Sequence, residues 1–311
     1  MRLWLVSLGL LPILMVGSGP GAIASTPAPP PQNGLIALST SEGIRMVDAR
    51  SGKGWTVPGT VDMSHPVWSP DGQLLAVEGW DDDQTGVYTI RPDGSDRKLV
   101  LDNAFTPSWS PDGKQLVVAR YSDGEAGVST LAVVNADGGD VHQITFDHGG
   151  ENDGAGEPAW SPDGKWIAFT QGDGAVRLVT PNGEADGIRT VAQEGMNPTW
   201  SPDGSKLTFD TVDTAKFEQY IAVIDVTTGK RTELRPRELA SAAAWSPDGT
   251  RLAFIAARPM PKSESEHGCG GEMPSDLWTT SFDGAKPELL EKNVWGQPSW
   301  GTFVPESKPT T

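Results

Sequence analysis

The chain has one cysteine, Cys269, so no internal disulfide can form and the fold must be held by packing. It is also short of positive charge: 24 Lys and Arg stand against 41 Asp and Glu, a formal net charge of −17. That balance, with no basic stripe, excludes nucleic acid and anionic membrane surfaces and favours partners of basic character. Several chemical motifs are missing as well. No phosphate-cradling glycine loop, zinc-finger spacing or G-x-S-x-G nucleophile elbow occurs. Hydrophobic residues reach only 37%, while 37 Gly and 26 Pro punctuate the chain and no long helical periodicity runs through it. Many short strands joined by turns suit that composition better than helices.

The one long apolar run, Leu3 to Val16, follows Arg2 and precedes Ala22-Ile23-Ala24. This order predicts a secretory signal peptide over residues 1–24, cleaved before Ser25. The run is short for a hydrocarbon core of ~30 Å and is broken by Gly9 and Pro12, so no membrane span is expected in the mature chain. Pro27, Pro29, Pro30 and Pro31 make residues 25–33 an extended spacer. A single domain is then expected over 34–304, with a flexible tail over 305–311, in a periplasmic or secreted monomer.

What the sequence does have is a repeat. Trp-Ser-Pro-Asp-Gly begins at Trp68, Trp109, Trp160, Trp200 and Trp245, and a worn copy begins at Trp300 and continues with Gly301. Successive marks lie 41, 51, 40, 45 and 55 residues apart, the spacing of a four-stranded β-propeller blade. Within each copy proline presets φ, aspartate suits the next position and glycine takes the left-handed conformation that closes a hairpin. The segments after the turns, such as Leu74 to Val77 and Leu207 to Phe209, are apolar on consecutive positions. That fits strands buried on both faces between neighbouring sheets. The repeated tryptophans then read as filling between sheets. Leu35 to Leu38, Ile44 to Val47 and Trp55 to Val57 look like strands two to four of a blade whose first strand comes from Trp300. The expected fold is all-β: a six-bladed β-propeller with four antiparallel strands per blade, its ring closed by pairing the carboxy-terminal strand with the amino-terminal strands.

The stretches Pro66 to Gly72 with Leu74 to Val77, and Pro158 to Gly164 with Trp166 to Phe169, resemble the TolB-type propeller repeat over nearly all of residues 34–304. Similar repeats occur in the TolB protein of the Tol–Pal envelope system, in the gating propellers of tricorn and prolyl-type peptidases, and in some lyases. The resemblance implies a TolB-like propeller without the α/β domain that precedes it in TolB, so a full Tol–Pal role is not expected. A peptidase is not expected either, because no residues are left for a hydrolase domain.

Strand parity puts the Ser-Pro-Asp-Gly hairpins on one face and the irregular loops on the other. The long inserts, Asp147 to Glu157 and Arg258 to Asp276, fall with the irregular loops. That loop face is the expected recognition surface. It carries many acids, including Asp81 and Asp83, and aromatics including Trp80, Phe105, Tyr121, Phe217 and Trp295. The position three before each Trp mark is expected at the channel mouth: His65, Thr106, Glu157, Asn197, Ala242 and Gln297. The resulting expectation is a non-catalytic binding protein that takes a protein, peptide or glycan of the cell envelope.

No cofactor is expected. Asp81 and Asp83 imitate the start of an EF-hand, which leaves loose Ca²⁺ binding open, but Pro92 stands where the bidentate Glu is needed. His65, His148 and His267 fall on three different blades, and Cys269 with Met273 is read as incidental. The rival expectation is a lyase or hydrolase acting on polysaccharide at the channel mouth through His65 and acids such as Glu157.

Overall fold

Apolar residues on consecutive positions mark the middle strands, and the computed structural model shows both faces of those strands covered. It describes residues 34–302, except 82–83, 122–127, 147–153, 184, 186, 215, 217, 238, 259–274 and 284–285; at 81 and 84 only the backbone is described. These residues belong to the second of two units, Pro31–Thr311. The expected signal peptide, the expected spacer and tail, Asp83, His148, Phe217, His267, Cys269 and Met273 lie outside the described residues.

The chain begins with β1 (Leu35–Thr40), β2 (Gly43–Asp48) and β3 (Gly54–Thr56). Four antiparallel four-stranded sheets follow. The first holds β4 (Met63–Trp68), β5 (Leu75–Asp81), β6 (Gln84–Ile90) and β7 (Lys98–Asp102). The second holds β8 (Ala104–Trp109), β9 (Gln115–Tyr121), β10 (Ser129–Asn135) and β11 (His142–Gln143). The third holds β12 (Ala155–Trp160), β13 (Ile167–Gln171), β14 (Val176–Val179) and β15 (Arg189–Ala192). The fourth holds β16 (Met196–Trp200), β17 (Lys206–Asp213), β18 (Glu218–Asp225) and β19 (Arg231–Leu234). Last come β20 (Ala240–Trp245), β21 (Arg251–Ala257), β22 (Ser275–Ser281) and β23 (Glu288–Trp300).

These last four join β1–β3 in one seven-stranded sheet, ordered β20-β21-β22-β23-β1-β2-β3. The sequence leads one to expect two separate sheets here. They merge because β23 runs unbroken for 13 residues. Its first half pairs with β22, Glu288 opposite Thr279, and its second half pairs with β1, Trp300 opposite Ile36. Gly34 N–H donates to the Gly301 carbonyl and Gly301 N–H to the Leu35 carbonyl, extending that junction.

The repeated turn is closed by side chains as well as by glycine. Ser69 Oγ donates to Asp71 Oδ1 at 2.6 Å and accepts the Leu74 N–H at 2.9 Å, while Gly72 sits at φ 68°. The same serine-to-aspartate bond recurs at Ser110, Ser161, Ser201 and Ser246. Between sheets, Ala76, Val87 and Val100 of the first meet Trp109, Leu116 and Val134 of the second in one buried cluster. Trp109 also donates its indole N–H to the Val67 carbonyl of the preceding sheet, as Trp200 does to Ala159. Fully buried rings such as Phe169, Phe209 and Phe254 each stabilise the fold by roughly 1.5–3 kcal/mol.

Candidate functional site in a cavity lined by the strand bulges

The first strands of five sheets break register at one place. The shifts fall between Ser64 and Val67, Phe105 and Ser108, Gly156 and Ala159, Met196 and Thr199, and Ser241 and Ala244. Inside each shift one residue turns left-handed: His65 (φ 48°), Thr106 (45°), Glu157 (52°), Asn197 (52°) and Ala242 (51°). Such values are uncommon for side-chain-bearing residues, and a bulge of this kind bends the strand and re-aims a side chain. Four of the five precede a proline, which has no N–H to give the ladder. In β23 a glycine, Gly296 (φ 72°), makes the turn immediately before Gln297.

As a result His65, Thr106, Glu157, Asn197 and Gln297 line one cavity of about 590 Å³. Four of the backbone N–H groups at the bulges find side-chain acceptors on a neighbouring sheet, three of them on second strands. His65 N–H donates to Ser39 Oγ of β1 at 3.1 Å and Thr106 N–H to Glu78 Oε1 of β5 at 2.6 Å. Ala242 N–H reaches both carboxylate oxygens of Asp210 on β17 at 2.9 Å. Asn197 N–H donates to Glu157 Oε2 at 2.7 Å, and that oxygen also accepts the Thr170 hydroxyl of β13 at 2.8 Å.

Three groups on or beside this lining titrate away from their ordinary ranges. Burial pulls His65 down, but the hydrogen bond and charge of Glu78, 2.9 Å away, and the charge of Glu157 leave it raised. Burial pushes Glu78 up, yet the His65 contact and the Thr106 N–H and Ser64 hydroxyl hold it below the usual carboxylate range. Asp210 is fully buried, and burial pushes it up to about 7 against the bonds from Ala242 and Asn197, with the Glu157 charge adding to the rise. Among the described residues no three His, Cys, Asp or Glu side chains gather closely enough to hold a metal ion.

The expected aromatics meet the solvent at the same end of the sheets. Trp295 approaches His65 edge to face, ring centroids 6.3 Å apart. Trp80 is 61% and Tyr121 49% exposed, and the Tyr121 ring lies 5.0 Å from Phe105. Trp80, Asp81, Tyr121 and Trp295 are on strands, not loops, because the β5–β6 hairpin and β9 extend further than expected. Glu157 likewise belongs to β12 and not to the insert before it.

The sequence reading missed Glu78 and Asp210. Their signal was a polar residue ten positions after Trp68 and Trp200, in otherwise apolar second strands; Thr170 holds the same place after Trp160. It also saw the tryptophans only as filling. Trp160, Trp200 and the turn prolines line the cavity as well.

A family model described as the TolB beta propeller domain matches residues 59–177. No curated protein matches. Among solved structures, TolB from Acinetobacter baumannii is 21% identical with a TM-score of 0.69, over 86% of this chain and 66% of that one. This chain therefore spans slightly less than two thirds of that protein. A protein assigned as TolB from Agrobacterium tumefaciens is 18% identical with a TM-score of 0.64, over 85% and 91% of the two chains. The oligogalacturonate lyase of Vibrio parahaemolyticus is 13% identical with a TM-score of 0.54, over 83% and 79%. No described helix is long and apolar enough to cross a membrane. The matched segment carries the TolB-type propeller repeat, and these likenesses show that the chain has a TolB-like β-propeller fold.

Proposed function

We propose that this protein is a non-catalytic extracytoplasmic binding or scaffold protein, recognising a protein, peptide or glycan of the cell envelope through the cavity mouth and the surface around it. The observation that carries this reading is the convergence of His65, Thr106, Glu157, Asn197 and Gln297 on one cavity. Exposed aromatics beside a polar, acid-rich mouth are what a partner of basic character would meet. Trp80, Tyr121 and Trp295 act as anchors; Asp81 and Asp83 add charge. Six blades in a closed ring present this face, β23 serving as the fourth strand of one blade and the first of the next. Deleting residues 296–311 removes that strand half and abolishes cooperative unfolding. The functional test is partner capture from envelope extract by the chain from Ser25 onward: replacing Trp80, Tyr121 and Trp295 with alanine lowers capture while the melting temperature stays put.

The enzymatic alternative rests on the His65–Glu78 pair beside Glu157, an acid and base at one opening. Turnover of a polysaccharide, lost in His65→Ala or Glu157→Ala, would replace the binding reading.

A further inference from the structure

The cavity continues past its polar mouth. Its wall passes along the half-buried rings of Trp160 and Trp200 and the turn prolines Pro111, Pro162 and Pro202. At about 590 Å³ it falls within the range of roughly 300–1,000 Å³ usual for small-molecule sites. Its two ends offer opposite chemistry. At the mouth, the Glu157 carboxylate receives only neutral donors among the described residues, the Thr170 hydroxyl and the Asn197 N–H. Asp210 stands behind it, held by Asn197 Nδ2 and the Ala242 N–H, both also neutral. The negative charge at this opening is therefore offset by His65 alone among the cavity-lining residues described.

Elsewhere in the wall, Trp245 and Trp300 are 8% and 9% exposed and line the cavity. Their indole nitrogens are enclosed, so these two rings offer the cavity apolar carbon and no donor.

We propose that the cavity binds an organic cation with an apolar body, its ammonium group against Glu157 and its body between the tryptophans and prolines. The inference rests on the reading of this mouth as the recognition surface and names the group the mouth accepts. That group is an amine, whether carried by a small molecule or by a basic side chain of the partner.

The test is calorimetric titration with tyramine, which carries an ammonium group on an aromatic body. Two relatives change the charge: 4-ethylphenol has no amine, and 4-hydroxyphenylacetate carries the opposite charge. Tyramine is expected to bind most tightly and the other two at least tenfold more weakly. Glu157→Gln is expected to weaken tyramine at least tenfold, and Gln297→Lys, which places an ammonium in the mouth, to abolish binding. Both variants must melt as the parent does; if Glu157→Gln does not, Gln297→Lys carries the test. Equal binding of 4-ethylphenol or 4-hydroxyphenylacetate, or unchanged binding in a folded Gln297→Lys protein, overturns the proposal. Tyramine that also displaces the captured envelope partner identifies a side-chain amine as the ligand; tyramine that binds without displacing it identifies a small molecule. Envelope capture that depends on Trp80 and Tyr121, with no tyramine binding, overturns the cation site and leaves the mouth's recognition role standing.

Discussion

Asp210 makes the sharpest stability prediction. Its carboxylate is fully buried on β17, clasps the Ala242 N–H of the next sheet with both oxygens, and titrates near 7 instead of 3.8. A carboxyl whose folded pKa is raised contributes most stability below its unfolded value and loses it as pH rises through the folded value. A difference of that size corresponds to about 4 kcal/mol by the conversion of ~1.36 kcal/mol per pKa unit. The loss should run from about pH 4 to about pH 7 and level off above that. In Asp210→Asn the amide oxygen still accepts the Ala242 N–H, and no charge is buried. Urea unfolding from pH 4 to pH 8 should show the parent weakening relative to the variant. The two should be nearly equal at pH 4, with the variant ahead by a few kcal/mol at pH 8. A stability difference independent of pH, or a variant weaker at pH 8, would refute the reasoning.

Three further outcomes follow from packing and charge. A Cβ at Gly301 would lie 2.6 Å from the ring of buried Trp68, so Gly301→Ala should cost about 1–3 kcal/mol in urea unfolding. Gly156→Ala, where nothing lies within 4 Å, should stay within about 0.5 kcal/mol of the parent. In Glu78→Gln, NMR titration should place His65 lower than in the parent, because Glu78 supplies the hydrogen bond and most of the charge that raise it. The His65 contribution is present below its ordinary value of 6.5 and fades as pH rises through its folded value. The Glu78 contribution is present above its ordinary value of 4.5 and fades as pH falls through its folded value. Glu78→Gln should therefore destabilise most between those two values, and much less at pH 8.

The repeat made the sheets legible because Ser-Pro-Asp-Gly encodes a hairpin locally, and each copy closes with the same serine-to-aspartate bond. The merging of two sheets through β23 was not legible, because only the partner strands decide whether Glu288–Trp300 breaks or runs on. Counting back three positions from the tryptophans gives His65, Thr106, Glu157, Asn197 and Gln297, which line one cavity, and Ala242, which does not. The left-handed backbone that brings four of them there was hidden, since His, Thr and Glu before proline carry no local preference for positive φ. Glu78 and Asp210 were missed because their partners are backbone N–H groups on a neighbouring sheet, across 28 and 32 residues of sequence.

The most direct test of recognition at this mouth is quantitative capture from envelope extract, comparing the chain from Ser25 onward with a Trp80→Ala, Tyr121→Ala double variant matched for melting temperature. Both rings are exposed, 61% and 49%, so their removal spares the core. Recognition at the mouth predicts that the parent captures a saturable partner and that the double variant loses at least tenfold in apparent affinity. Equal capture by the two folded proteins would contradict it.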